Sequence, residues 1–310
     1  MNKILVIKHG SLGDIVFSLN SIKAIRNKYS KSAIHLLTEE RYLSFFNKSK
    51  FFDKIIIDNR KNIFIKTISS LFLLLKENYD LIIDLQNSQR TSFYNLFFRI
   101  FGKSLICSSR PFSHYRYKIP DQGKEKGTVG LANQLRLLNI NINLLENNNN
   151  DWLKTDLGTE FNYPFVLIIP GVSKSGIYKQ WQPENFAKVA KYCELQNFNI
   201  CLVGTNSDLP AIDPIIKICN KIINKIDLSP PDVIYSIAAK AKLIISNDTG
   251  PGHVASLANT NIIWILNDNK ISNANIVEGK NTHKIVSSSV KKIDYSNVIS
   301  YIKKNNLLNF

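Results

Sequence analysis

The chain has no run approaching the ~20 uninterrupted apolar residues that a membrane-spanning helix needs. The nearest stretch, Leu71-Phe72-Leu73-Leu74-Leu75, is closed by Lys76 and Glu77. The N-terminal MNKILVIKHGSLGD has too short an apolar part for a secretory signal and no small-residue cleavage site. A cytoplasmic protein is therefore expected. The four cysteines, Cys107, Cys193, Cys201 and Cys219, form no C-x-x-C pair, which argues against a zinc cluster and for buried free thiols. No metal site and no cofactor is expected. No nucleic-acid reader motif is recognisable, so nucleic acid is not an expected partner.

What is present is length, charge and period. The 310 residues suffice for two domains, and a hydrophobic share of 44% excludes global disorder. Lys+Arg total 40 against 24 Asp+Glu, a formal charge of +16 that favours anionic partners such as nucleotides, phosphorylated glycans or acidic lipid surfaces. The abundance of Lys, Asn and Ile also fits an A/T-rich coding sequence, so charge alone decides little.

The first half alternates short apolar runs with amphipathic stretches: KILVIK (3–8), AIHLLT (33–38), KIIID (54–58), DLIIDL (80–85) and SLICSS (104–109), with helical patterns at 14–29 and 91–101, a short helical segment after 38 and an apolar stretch at 63–77. Nearly all-apolar runs predict parallel strands covered on both faces. Residues 139–164 are Asn-rich, polar and without period, and read as a linker. The pattern restarts with FVLII (165–169) and continues through ICLVG (200–204), KIINKID (221–227), KLIIS (242–246) and NIIWIL (261–266), with helices at 183–196, near 209–219 and near 231–240. The prediction is α/β: two Rossmann-like doubly wound domains facing a central cleft, at 1–155 and 156–310. A terminal helix in DYSNVISYIKKNNLL is left free to pack back on the first domain.

Four loops hold polar residues where apolar strands end. In SNDTGPGHVA (246–255) a strand, a glycine turn and a helix start together suit a phosphate, with Thr249 and His253 at hand and Gly250 and Gly252 permitting close approach. A helix simply capped by Asp248 or Thr249 is the alternative. The loop PGVSKSGIYKQWQPENF (170–186) offers Lys174 and Lys179 as phosphate counter-charges. It matches neither G-x-x-x-x-G-K-[ST] nor G-x-G-x-x-G. Trp181 is expected to pack at the following helix start. In KHGSLGDIVFS (8–18), Gly10 and Gly13 turn the chain and Asp14 opens a helix, either as a cap or as a general base, with His9 the competing base. Gln86 and Asn87 in IIDLQNSQR (82–90) either orient a sugar or satisfy loop backbone.

Together these loops resemble glycosyltransferase family 9, the ADP-heptose:lipopolysaccharide heptosyltransferases. KILVIKHGSLGDIVFSLNSIKAIR is similar to the family's first strand, S-x-G-D loop and first helix. YDLIIDLQNSQRT is similar to its D-x-Q-x-x-x-R/K segment. IIPGVSKSGIYKQWQPENFAKVA is similar to its P-G-A-S…K-x-W-P loop, with Gln182 inserted before the proline. ISNDTGPGHVASLANT is similar to its D-[TS]-G-x-x-H-[LI]-A-A signature. The chain departs after NIIWIL, where the family's F-G-x-T-x-P loop is replaced by NDNKISNANIVEG.

The resemblance implies a GT-B fold and metal-independent, inverting transfer of a heptose from ADP-heptose to a lipopolysaccharide inner-core or lipid A-linked acceptor. The acceptor side would be N-terminal and the nucleotide sugar C-terminal. Asp14 matches the family's base, and Gly13, Gln86 and Asn87 fall on the acceptor side. Lys179 matches the lysine near the donor phosphates, with Ser173 or Ser175 as hydroxyl partners. Asp248, Thr249, Gly250 and His253 match the donor signature. Peripheral contact with an anionic membrane, at the inner face of the inner membrane, is the expected setting. The alternatives are a family 9 transferase with another nucleotide sugar or surface-glycan acceptor, and a non-catalytic nucleotide-sugar-binding protein.

Overall fold

The computed structural model describes residues 1–59, 64–120, 125–142, 150–268, 276 and 279–309. It divides into two units, Met1–Asn149 and Asn150–Phe310. In the first unit six strands are described: β1 Lys3–Ile7, β2 Ala33–Thr38, β3 Lys54–Ile57, β4 Leu81–Asp84, β5 Leu105–Ser108 and β6 Tyr115–Arg116. Its helices are α1 Leu12–Lys28, α2 Leu43–Asn47, α3 Phe64–Lys76, α4 Gln89–Phe101 and α5 Gly127–Arg136. The second unit has β7 Phe165–Ile169, β8 Asn199–Gly204, β9 Ile222–Ile226, β10 Leu243–Asn247, β11 Ile262–Asn267 and β12 Thr282–Ser287. Its helices are α6 Pro183–Leu195, α7 Leu209–Ile218, α8 Pro231–Lys240, α9 Gly250–Ser256 and α10 Tyr295–Lys304.

Both sheets are parallel, ordered β3-β2-β1-β4-β5-β6 and β12-β11-β10-β7-β8-β9. Counted from each unit's own first strand, the two orders are the same, 3-2-1-4-5-6. The central strands β4, β7 and β10 are buried at every position, which is why their sequences show no alternation and turn polar, in β4 and β10, only at their carboxyl ends. Local signals start the helices. Ser11 caps α1 and Ser88 caps α4 through capping boxes, and Pro183 occupies the first turn of α6. Trp181 is fully buried, its ring against Phe186 at 4.7 Å, so it packs at the start of α6 as the sequence suggested. All four cysteines are buried and free.

Three elements go beyond the sequence reading: β6, α5 and the edge strand β12. The expected linker is partly built into the second unit. Leu153 and Phe161 are buried, Phe161 packs on Phe165, and the Thr155 N–H donates to Ser236 Oγ at 2.8 Å. Residues 143–149 of that linker, and 269–275 and 277–278 of the loop after β11, lie outside the described residues. The terminal helix is part of the second unit's core, where α10 packs on α6 and Val298 and Ile302 sit beside Phe186 and Val189.

Candidate functional site

In a 3-2-1-4-5-6 sheet the connections leave the first and fourth strands in opposite directions, which opens a crevice at their carboxyl ends. In the first unit those strands are β1 and β4, and in the second β7 and β10. The four loops singled out in the sequence are the ones that follow these four strands. Each unit thus presents a pair of them at its own switch point.

In the second unit the two loops meet through one carboxylate. Lys179 ends the 3-10 turn Lys174–Lys179, and its Nζ donates to Asp248 Oδ2 at 2.6 Å. His253 Nε2 lies 3.1 Å from Asp248 Oδ1. Burial alone would push the Asp248 carboxyl up, but the hydrogen bonds and charges of His253 and Lys179 outweigh it and hold the group below the usual carboxylate range. Asp248 is therefore not the cap of α9. Thr249 occupies the N-cap position in extended conformation, and its side chain makes no capping bond either. The alternative of a simply capped helix is not what the loop has built.

Glycine at two positions lets these loops close. A Cβ on Gly252 would stand 2.4 Å from Ser246 Oγ and 2.9 Å from the Trp264 ring, so α9 rests its backbone directly on β10 and β11. A Cβ on Gly171 would overlap the Asp208 carboxylate at 2.3 Å. The buried Asn247 ties the loops together: its Nδ2 donates to the Pro170 carbonyl at 2.7 Å, and its Oδ1 accepts the Trp181 N–H at 3.1 Å. Ser173 and Ser175 are exposed, with hydroxyls 3.2 Å apart. Lys174 is exposed as well. Gly250 is the first residue of α9.

In the first unit, Gly10 takes the turn after β1 at φ +107°, a region that L side chains rarely adopt. Its carbonyl accepts from Arg41 at 2.8 Å and from the Tyr42 hydroxyl at 2.6 Å. Gly13 lies inside the first turn of α1 and is buried, so Gly10 alone makes the bend. Asp14 is exposed at the third helical position. Its Oδ2 accepts the Ser11 N–H at 3.0 Å and the Ser11 hydroxyl at 2.9 Å. The cap is Ser11, and Asp14 is its reciprocal partner.

The β4 loop divides differently. Gln86 Oε1 accepts the His9 N–H at 3.1 Å. Asn87, at φ +52°, has both ends of its amide engaged, Nδ2 on Gln134 at 2.8 Å and Oδ1 on the Ser109 N–H at 2.8 Å. Its observed work is to satisfy the loop. His9 is buried with Nε2 3.2 Å from Asp58, whose carboxylate also accepts from Tyr94 at 2.8 Å and lies 3.6 Å from Arg90. His9 is thus a buried support for this loop.

Four side chains here escaped the sequence reading. Lys8 is buried, donating to the Leu85 carbonyl at 3.3 Å; burial pushes its ammonium down, and the Asp14 and Asp84 carboxylates partly offset this. Asp84 is fully buried, and burial pushes its carboxyl up against the N–H groups of Asn87 and Gln86, each at 2.9 Å. Arg41 and Tyr42 carried no sequence signal, because their role depends on where β2 ends beside β1.

A family description, glycosyltransferase family 9 (heptosyltransferase), matches residues 68–268. The lipooligosaccharide heptosyltransferase 2 of Haemophilus ducreyi is 23% identical over 283 residues, 83% of this chain and 80% of that protein. The lipopolysaccharide core heptosyltransferase OpsX of Haemophilus influenzae is 27% identical over 121 residues, and the match spans 37% of this chain and 33% of its length. Among solved structures, E. coli heptosyltransferase WaaC with ADP superposes at a TM-score of 0.78, with 15% identity over 98% of this chain and 99% of that one, which establishes a shared fold. With two Rossmann-like units of GT-B type and a family match across most of their length, the chain belongs to glycosyltransferase family 9 (heptosyltransferase).

Proposed function

We propose that the chain catalyses inverting transfer of a heptose from ADP-heptose to an inner-core acceptor of lipopolysaccharide. The observation that carries this is the cluster Lys179–Asp248–His253 at the β7/β10 switch point, in a chain of this family. A departing diphosphate needs positive charge or N–H donors. Lys179 and His253 supply them, with Ser173, Ser175, Thr249 and Gly250 as further donors. Asp248, a carboxylate, would repel phosphate, so its part is to orient Lys179 and His253. Gly13 and Gln86 shape the acceptor-side loop of the first unit, and Asn87 holds it from behind.

In the transfer, the acceptor hydroxyl attacks the anomeric carbon, the bond from that carbon to the diphosphate breaks, and ADP leaves with the bonding pair. Asp14 takes the hydroxyl proton. Because the acceptor is lipid-borne, the enzyme works in peripheral contact with an anionic membrane at its cytoplasmic face. A transferase using another nucleotide sugar is the second reading, favoured by NDNKISNANIVEG in place of the family loop after β11. Release of free nucleotide across a donor panel separates the two.

The test is Asp14→Asn. Asparagine retains the capping geometry, as Asn297 does at the same helical position of α10, accepting the Asp294 N–H at 3.2 Å. The variant should fold, bind ADP as the wild type does in calorimetry, and lose turnover by roughly 10²–10⁴-fold. Wild-type turnover would leave Asp14 a helix-capping residue only.

A further inference from the structure

α3 and α4 lie side by side on one face of the first sheet, with Leu71, Leu74, Phe97 and Phe98 turned into the core. Their outer surface is not polar. Phe72, Leu73, Ile100 and Phe101 are 47%, 64%, 62% and 59% exposed. Two of them belong to a cluster of edge-on and tilted rings: Phe72 meets Phe97 at 5.0 Å and Phe101 at 6.0 Å between ring centroids, and Phe97 meets Phe101 at 5.0 Å. Scattered exposed hydrophobes are ordinary, whereas a contiguous aromatic cluster marks a surface that meets something apolar.

The charges carried by the two helices are all basic. Neither FIKTISSLFLLLK nor QRTSFYNLFFRIF contains Asp or Glu. Lys76, Arg99 and Lys103 are exposed on these helices and just beyond. Glu77, which follows α3, is taken by Lys3 and Lys54. The whole unit shares the bias. Residues 1–149 hold 23 Lys+Arg against 11 Asp+Glu, a formal +12, while residues 150–310 hold 17 against 13, only +4. An excess arising from coding composition alone would fall on both units alike. A second copy of the chain is a poor occupant, because a symmetric contact would set these basic rims against each other.

We propose that the outer face of α3 and α4 is the surface by which the protein docks on an anionic lipid bilayer. Phe72, Phe101 and their aliphatic neighbours enter the headgroup region, and Lys76, Arg99 and Lys103 pair with anionic headgroups. This rests on the membrane-associated reading given above and assigns the residues that carry it.

The experiment is co-sedimentation of the full chain with vesicles of phosphatidylcholine alone and of phosphatidylcholine mixed with phosphatidylglycerol, at low and high salt. The wild type should partition onto the mixed vesicles and be released by salt. Phe72→Ser/Phe101→Ser and, separately, Lys76→Glu/Arg99→Glu should each lower partitioning by about tenfold or more. All three tryptophans, Trp152, Trp181 and Trp264, lie in the second unit, so Phe101→Trp adds a reporter to a silent one. Its emission should be quenched by brominated acyl chains, and that of the wild type should not. Donor-dependent turnover on a lipid-free core acceptor should persist in every variant, which certifies the fold. Double variants that sediment like the wild type, together with no quenching in Phe101→Trp, overturn the assignment of this face while leaving membrane association intact. A wild type that ignores mixed vesicles at low salt overturns both. A wild-type dimer that the double-Phe variant dissolves makes the face a self-contact and overturns the proposal.

Discussion

Replacing Lys179 by Met separates two roles of one ammonium. Nζ stands 2.6 Å from Asp248 Oδ2, and the two side chains are 24% and 11% exposed. Breaking a fully buried pair by removing one partner costs about 3–5 kcal/mol, because a charge is left alone. Here His253 remains on Oδ1 and Lys179 already reaches water, so the expected loss of stability is smaller, about 1–3 kcal/mol. Adding Asp248→Asn removes the stranded charge, and Lys179→Met/Asp248→Asn should recover most of that loss. The coupling between the two sites in a double-mutant cycle should be about 1–2 kcal/mol.

Donor affinity should behave otherwise. The single variant loses a counter-charge and uncovers a carboxylate, both of which weaken diphosphate binding, by roughly 10–100-fold for ADP. The double variant should regain only the part owed to the uncovered carboxylate, and should stay weaker than the wild type by the part owed to the lost counter-charge. Thermal unfolding and ADP calorimetry on the four proteins read the two quantities independently. The pH dependence has a fixed sign. The Asp248 carboxyl is held low in the folded protein, so its contribution is present above the unfolded carboxylate pKa of about 4 and fades as pH falls through the lower folded value. The stability gap between wild type and Lys179→Met should therefore close in acid. If Lys179→Met binds ADP as tightly as the wild type, the ion pair is structural and the diphosphate is met elsewhere.

Gly252→Ala forces a methyl group to within 2.4 Å of Ser246 Oγ and should cost about 1–3 kcal/mol in thermal unfolding, with donor affinity falling alongside. An alanine variant with unchanged stability would show that α9 shifts freely on the sheet. The four thiols should resist a water-soluble disulfide reagent in the native protein and all react in denaturant, since burial pushes Cys107 and Cys193 up to about 12 and Cys219 up to about 11. Transfer should persist in EDTA, because the diphosphate's partners are assigned to Lys179 and His253; loss of activity restored by Mg²⁺ would reverse that assignment.

The strands were legible wherever burial on both faces left an unbroken apolar run, as at β1, β7 and β11. The three missed elements lack that mark. Both residues of β6 are exposed, β12 is a half-buried edge, and α5 opens on Gly127 and Thr128 without a side-chain cap. For the site, glycines and polar residues at strand ends located the four loops, because such residues have few other reasons to follow an apolar run. What they touch was not legible. Lys179 and Asp248 are 69 positions apart, and their pairing is a product of sheet order. The same holds for the His9–Asp58–Arg90–Tyr94 cluster, assembled from β1, the end of β3 and α4, whose members look like unrelated polar residues in sequence.

Two donors on the carbonyl of Gly10 have a consequence for the peptide plane between Gly10 and Ser11. A glycine at positive φ ordinarily leaves the adjoining peptide free to turn over, carrying its carbonyl to one side and its N–H to the other. Here Arg41 and Tyr42 clamp the oxygen, and burial pushes the Tyr42 hydroxyl up to about 12, so it remains a donor throughout the neutral range. With the oxygen held, the Ser11 N–H at the other end of the same plane has one direction left, toward Asp14 Oδ2. The aim of that carboxylate is therefore set by two side chains some thirty residues away. Tyr42→Phe together with Arg41→Met would free the plane without touching either the helix or its cap, turning a fixed bearing into a rotor.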